Sequence, residues 1–141
     1  MARIKLELPE HFHFSTELTI RISDINYGGH LGNDAVLSLV HEARVRFLKQ
    51  YGYSELNIEG TGIIMGDAAV VYKSEGYHGE TLIVDVAVGE FRNAGCDFFY
   101  RLTNKETGNE IARAKTGIVF YDYGLKKTAG VPAKFREKFA A

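Results

Sequence analysis

From residue 12 to residue 22 the chain alternates. Phe12, Phe14, Leu18, Ile20 and Ile22 share one parity; His13, Ser15, Glu17, Thr19 and Arg21 share the other. A period of two predicts a strand with one buried face. From Ala35 to Gln50 the spacing becomes helical. Val36, Leu37, Leu39, Val40, Ala43, Val45, Phe47 and Leu48 cover more than half of the helix circumference, which predicts a central helix rather than a surface one. Asp34 is placed to cap its start. Tyr51-Gly52-Tyr53 ends it, with Gly52 suited to a C-terminal cap, and a short helical turn is expected at 54–58.

Beyond the helix the pattern predicts four more strands. Ile63 to Tyr72 is a small and apolar run interrupted by Asp67. Leu82, Val84, Val86 and Val88 alternate after a turn bracketed by Gly76 and Gly79. Cys96 to Leu102 follows the turn residues Asn93-Ala94-Gly95, and Ile111 to Tyr123 follows a hairpin turn at Asn104–Asn109. Pro132 opens a short terminal helix, where its missing N–H is harmless. The last four strands, joined mainly by tight turns, favour antiparallel pairing. One helix on one side of such a sheet gives an α+β domain spanning 1–141. A sheet with a single helix as cover leaves edges to protect, and a homodimer that extends the sheet is the expected solution.

Composition narrows the partners. Seventeen basic residues against eighteen acidic ones, a net charge of -1, give no reason to expect nucleic acid. The single cysteine, Cys96, excludes an internal disulfide and a Cys-rich metal site, and no metal-ligand spacing is present. No apolar run approaches the ~20 residues of a membrane span, and the N-terminus lacks a signal-peptide core. A cytoplasmic protein is expected.

The chemistry concentrates between the first strand and the long helix, in Ser23-Asp24-Ile25-Asn26-Tyr27-Gly28-Gly29-His30-Leu31-Gly32-Asn33-Asp34. Polar groups set between two core elements have to be satisfied. The glycines let the backbone approach a ligand closely and leave N–H groups to face it, which marks Gly28 and Gly29 as substrate-binding candidates. His30 is suited to orient a water or donate to a carbonyl oxygen. Asn26 positions a water or donates to an oxyanion, or else closes an Asx turn. Asn33 either meets substrate or braces the loop, and Asp24 organises it.

Together with the helix residues His41-Glu42-Ala43-Arg44, this loop resembles the hotdog-fold thioesterases, in particular the 4-hydroxybenzoyl-CoA thioesterase-like group. The family pattern is Asp-x-Asp-x-x-Gly-His-Val-Asn-Asn followed by Glu-x-Ala-Arg; here Asp24 to Asn33 and the helix motif stand in its place. Tyr72-Lys73, Tyr77-His78-Gly79-Glu80, Phe91-Arg92 through Phe98 and Pro132 extend the likeness over roughly residues 15–135. The resemblance implies a helix wrapped by an antiparallel sheet, homodimers often paired into dimers of dimers, and an acyl-CoA or acyl-carrier substrate at the subunit interface. No metal or redox cofactor is implied; coenzyme A enters as part of the substrate. The chain also departs from the pattern. A carboxylate used by many members is Asn26 here, a catalytic Asn of another branch falls at Gly28, and the helix Glu aligns with His41.

Hydrolysis needs a group that activates water. Glu42 on the helix, Asp67 in the strand and Asp34 at the helix start compete for that role. Burial would raise the pKa of Glu42 and suit it as a base, unless it pairs with Arg46 four residues on. Arg92, with Arg101, Arg113, Lys115, Lys126 and Lys127, is available for coenzyme A phosphates. Cys96 is expected to pack rather than react. Phe98, Phe99, Tyr100 and Tyr121 either line an acyl pocket or fill the core. The expected activity is acyl-CoA thioester hydrolysis; the alternatives are a non-catalytic acyl-CoA or acyl-chain binding protein and a hotdog dehydratase or hydratase.

Overall fold

Leu82, Val84, Val86 and Val88 sit on one face of a strand, and all four are buried. Their neighbours on the next strand, Leu102, Tyr100 and Phe98, are buried with them at matching register. This shared face seats the helix. The computed structural model describes residues 3–140. Its elements are β1 (Phe14–Thr19), α1 (Asn33–Gln50), β2 (Gly62–Tyr72), β3 (Thr81–Gly89), β4 (Gly95–Asn104), β5 (Glu110–Asp122), β6 (Lys127–Thr128) and α2 (Ala133–Phe139). The strands pair antiparallel in the order β1-β3-β4-β5-β2, with the short β6 against β5. A long helix across one face of this sheet is the hotdog arrangement that the resemblance implies.

α1 buries Val36, Leu39, Val40, Ala43, Phe47 and Leu48 against the sheet, each large side chain contributing about 1.5–3 kcal/mol. Phe47 lies 5.7 Å from Phe98 and 5.3 Å from Phe139, ring centre to ring centre. α2 thereby closes one end of the core with Phe135 and Phe139. Phe98 and Tyr100 fill the core and form no acyl pocket. On the opposite face of the sheet, the N-terminal arm crosses the strands. The carbonyl of Leu6 accepts from Arg113 at 3.0 Å, and the Arg101 guanidinium stacks over Phe12 at 4.7 Å. Among the described residues, no helix is long and apolar enough to cross a membrane.

Several expectations change. The first strand stops at Thr19, and Ile22 is exposed in a 3-10 turn from Ile22 to Asp24. Residues 54–61 form two successive tight turns, closed by Ser54–Asn57 and Ile58–Thr61, in place of a helical turn. β2 pairs with β5 and not with β3, so its connection crosses the sheet. α1 is less enclosed than its apolar content suggests: Leu37 and Val45 are exposed. Its main contacts run to β1, β3 and β5, leaving β2 as an outlying edge rather than a close neighbour.

Candidate active site

The loop between β1 and α1 is held by its own polar groups. The Asp24 carboxylate is buried and accepts the Arg21 main-chain N–H at 2.8 Å, with the Arg21 guanidinium at 3.1 Å. The Asp24 carbonyl accepts the Gly32 N–H at 2.8 Å. Asn26 Oδ1 accepts the N–H groups of Gly28 at 2.9 Å and His30 at 3.3 Å, closing an Asx turn. Gly29, at φ +86°, completes the reversal and donates to the Asn26 carbonyl at 3.0 Å.

The N–H groups of Gly28 and Gly29 are therefore engaged within the loop and do not face a ligand. The donors left over are those of Asn33 and Asp34, in the first turn of α1, which meet no acceptor among the described residues. Gly32, not Asp34, occupies the cap position, and no side-chain cap bond closes the start of the helix. Asp34 is the second helical residue, where its charge complements the helix dipole.

Asn26, His30 and Asn33 line one cavity of about 320 Å3 with Tyr72, Lys73 and Glu75. His30 Nε2 stands 3.6 Å from Glu75 Oε2, and its ring meets Tyr77 edge-on at 5.7 Å. The Tyr72 hydroxyl donates to the Asn33 carbonyl at 3.0 Å, joining the end of β2 to the start of α1. Burial, and then the Asp34 charge, push the Tyr72 phenol above its ordinary pKa.

Two of the three carboxylates lie elsewhere. Glu42 is exposed and bound to Arg46 Nε at 2.8 Å, the pairing that rivals a catalytic role. It faces the β1 flank of α1, in a different cavity with Glu17, Arg21 and Arg46; the expected burial is absent because that flank lies outside the sheet. Asp67 is exposed too and lies 2.7 Å from Lys115, whose hydrogen bond holds the carboxyl below its usual range. Register explains its position. Met65 pairs with the buried Ile118 but Asp67 with Gly117, so the bulge at Gly66 turns Asp67 to the face away from the helix.

The fold is shared widely. A 1,4-dihydroxy-2-naphthoyl-CoA thioesterase from Synechocystis superposes with a TM-score of 0.79 at 21% identity, over 87% of this chain and 92% of its own. A thioesterase superfamily structure from Jannaschia sp. CCS1 gives 0.83 at 16% identity, over 94% and 84%. A DHNA-CoA thioesterase from Staphylococcus aureus gives 0.76 at 19%, over 88% and 84%. No curated protein matches the chain. At the level of sequence, residues 20–139 match the thioesterase-like superfamily. The chain belongs to this superfamily.

In this thioesterase-like chain Arg92 is remote from the loop. The loop adjoins the start of β3, where Ile20 N–H donates to Glu80 O at 2.9 Å; Arg92 follows the end of β3, bound to Asp97 at 3.0 Å and to the Glu90 carbonyl at 2.9 Å. Cys96 is fully buried, and burial pushes its thiol up to about 12, in keeping with packing. Tyr72 and Lys73 enter the sequence reading only as part of the family likeness, and neither they nor Glu75 stand out there as site residues. They come from a strand end and a crossover that no local pattern links to the loop; only the β2–β5 pairing brings them there.

Proposed function

We propose that the protein hydrolyses acyl-CoA thioesters to the free acid and coenzyme A. One juxtaposition carries this reading: Asn33, whose N–H is unpaired at the start of α1, lines a single cavity with His30 and Asn26. A thioester carbonyl set there would direct its developing oxyanion at the helix N–H groups, each such donor being worth about 10²–10³ in rate. His30 donates to the same oxygen or holds the attacking water, and Asn26 fixes the loop that carries it. Gly28 and Gly29 act by shaping that loop, and Asn33 by its main-chain donor.

The working form is a homodimer joined along β2, with a pair of such dimers as the larger assembly. β2 is an edge strand of eleven residues, exposed from Ile64 to Ala68 and free of bulky charge apart from Asp67. A long unprotected edge of this kind invites another strand, and a second copy related by a two-fold axis supplies one.

A panel of acyl-CoAs with aryl, short and long aliphatic chains, assayed by trapping the released thiol, tests the activity. Thiol release above the uncatalysed rate on at least one member is expected. Acyl-CoA binding with no thiol release would replace the reading with a binding protein, and hydration of an enoyl-CoA would replace it with a hydratase.

A further inference from the structure

The flank of α1 that faces β2 carries a second constellation. His41 and Glu55 line a cavity of about 530 Å3 whose walls include Leu37, Leu56, Met65 and Tyr123. His41 Nε2 lies 2.8 Å from Glu55 Oε1, and Glu55 Oε2 accepts from Arg44 Nε at 2.9 Å. Arg44 is nearly buried; its Nη1 donates to the Tyr100 hydroxyl at 3.0 Å, which lies 2.8 Å from Thr116 Oγ1. The carboxylate is thus anchored from the core outward. Burial pushes the Glu55 carboxyl up, but hydrogen bonds from Arg44 and His41 outweigh it and hold it below its ordinary value. An ionised Glu55 takes the Nε2–H of His41 and leaves Nδ1 as the nitrogen with the lone pair. Nδ1 meets no partner among the described residues, and the His41 side chain is 56% exposed in a cavity whose walls mix the apolar Leu37, Leu56, Ile63 and Met65 with Ser38, Arg44 and Tyr123. An ordinary surface ion pair contributes little and needs neither this anchoring nor this setting.

We propose that His41, oriented by Glu55, is the general base of thioester hydrolysis and serves the loop cavity of the partner subunit. The inference rests on the activity and the β2-joined dimer proposed above. The His41 cavity borders the start of β2 at Ile63 and Met65, and the His30 cavity borders its end at Tyr72 and Lys73. Antiparallel pairing about a two-fold axis lays the start of one β2 along the end of the other. Each loop cavity then meets the helix cavity of the other subunit. Glu42, one residue on, is turned about 100° around the helix and lines the β1 flank instead.

In the step itself, the water oxygen forms a bond to the thioester carbon as its proton passes to His41 Nδ1. The carbonyl pair moves onto the oxyanion at the start of α1. Collapse breaks the C–S bond, and the imidazolium returns its proton to the departing sulfur, giving the acid and the coenzyme A thiol.

The test uses the full-length protein and whichever acyl-CoA it hydrolyses. H41Q and H41A are expected to lose roughly 10²–10⁴-fold in kcat with KM and dimer mass unchanged, and added imidazole is expected to restore part of the H41A rate. Inactive H41Q mixed through unfolding and refolding with the double variant N26A/H30A should recover about a quarter of the wild-type rate, since half of the dimers then hold one intact site. Wild-type rates in H41Q, or no imidazole rescue of H41A, would overturn the base; thioesterase activity of the wild type would survive that result. No recovery on mixing, or full activity in N26A/H30A, would overturn its action across the subunits.

Discussion

Asn26 shows how much of the site a sequence carries at the scale of one residue. Its place in a run of glycines and polar residues marked the loop, and both readings of its side chain, positioning a ligand and closing an Asx turn, were available. The structure uses Oδ1 for the turn. His30 and Asn33 stand out as candidates for the same reason, lying in the same run, and they line one cavity with Asn26. Glu55 was not, because its meaning comes from His41 and Arg44, fourteen and eleven positions away across a chain reversal. That pairing has a consequence for stability. The folded-state pKa of Glu55 lies below its ordinary value of 4.5. The ionised form is therefore favoured by folding, and its contribution is complete above that pH and lost as the pH falls through the lowered value. E55Q is expected to be about 1–3 kcal/mol less stable than wild type at neutral pH, from loss of charge-assisted hydrogen bonds. Thermal melts of both proteins across the acid range should show the gap in Tm closing below about pH 4.5. A gap of constant size down to acid pH would contradict the ionised pair.

Among the elements, strands with strict alternation were readable and β2 was not. In β3 the parity of Leu82 to Val88 matches burial throughout. In β2 the bulge at Gly66 puts Met65 and Asp67, two residues apart, on opposite faces, so no parity runs through the segment and the side on which Asp67 lies is not readable from it. Helix faces misled in a related way: Glu42 has apolar neighbours in sequence but lies on the open flank toward β1. The crossover from β2 to β3 has a role that its composition hides. Gly76 accepts the Leu31 N–H at 2.7 Å, and a Cβ at Gly76 would stand 2.8 Å from the buried Ile20 Cδ1 and 3.3 Å from Leu31 Cβ. The crossover is thus a shelf for the candidate loop, where any side chain has to displace the Ile20 methyl and crowd Leu31. G76V is expected to destabilise the protein by about 1–3 kcal/mol through overpacking and to lower thiol release well below what the folded fraction explains, because Leu31 adjoins His30. Denaturant melts and rates on the same preparation check both effects; an unchanged rate per folded molecule would show that the loop does not depend on the shelf.

At the scale of the whole molecule, each chain carries two cavities at opposite ends of the β2 edge, which the proposed mechanism takes as two halves of one site. The loop cavity has His30, with Glu75 as its carboxylate neighbour, and the first helix N–H groups beside it; the helix cavity has the imidazole of His41 held by Glu55, with Arg44 behind it. In the proposed dimer, joining two copies along β2 would bring the two cavities together, and assembly would then be a condition of the proposed catalysis rather than an accessory to it. The sequence points to a dimer through the edge problem and to an interfacial substrate through the family resemblance; which residues would meet there follows only from where the two cavities lie along the strand. Ala68, exposed near the middle of β2, lies close to where a two-fold axis would pass. A68D places two carboxylates near that axis, and like charges facing each other across an interface cost several kcal/mol. The dimer dissociation constant should rise by roughly two orders of magnitude, while the isolated chain keeps its fold, since the substituted side chain is exposed. Sedimentation across a concentration series, run beside the thiol-release assay, should show activity following the dimer fraction. A folded A68D monomer with wild-type activity would mean that one chain holds a complete site, and neither the β2-joined dimer nor the shared site would stand.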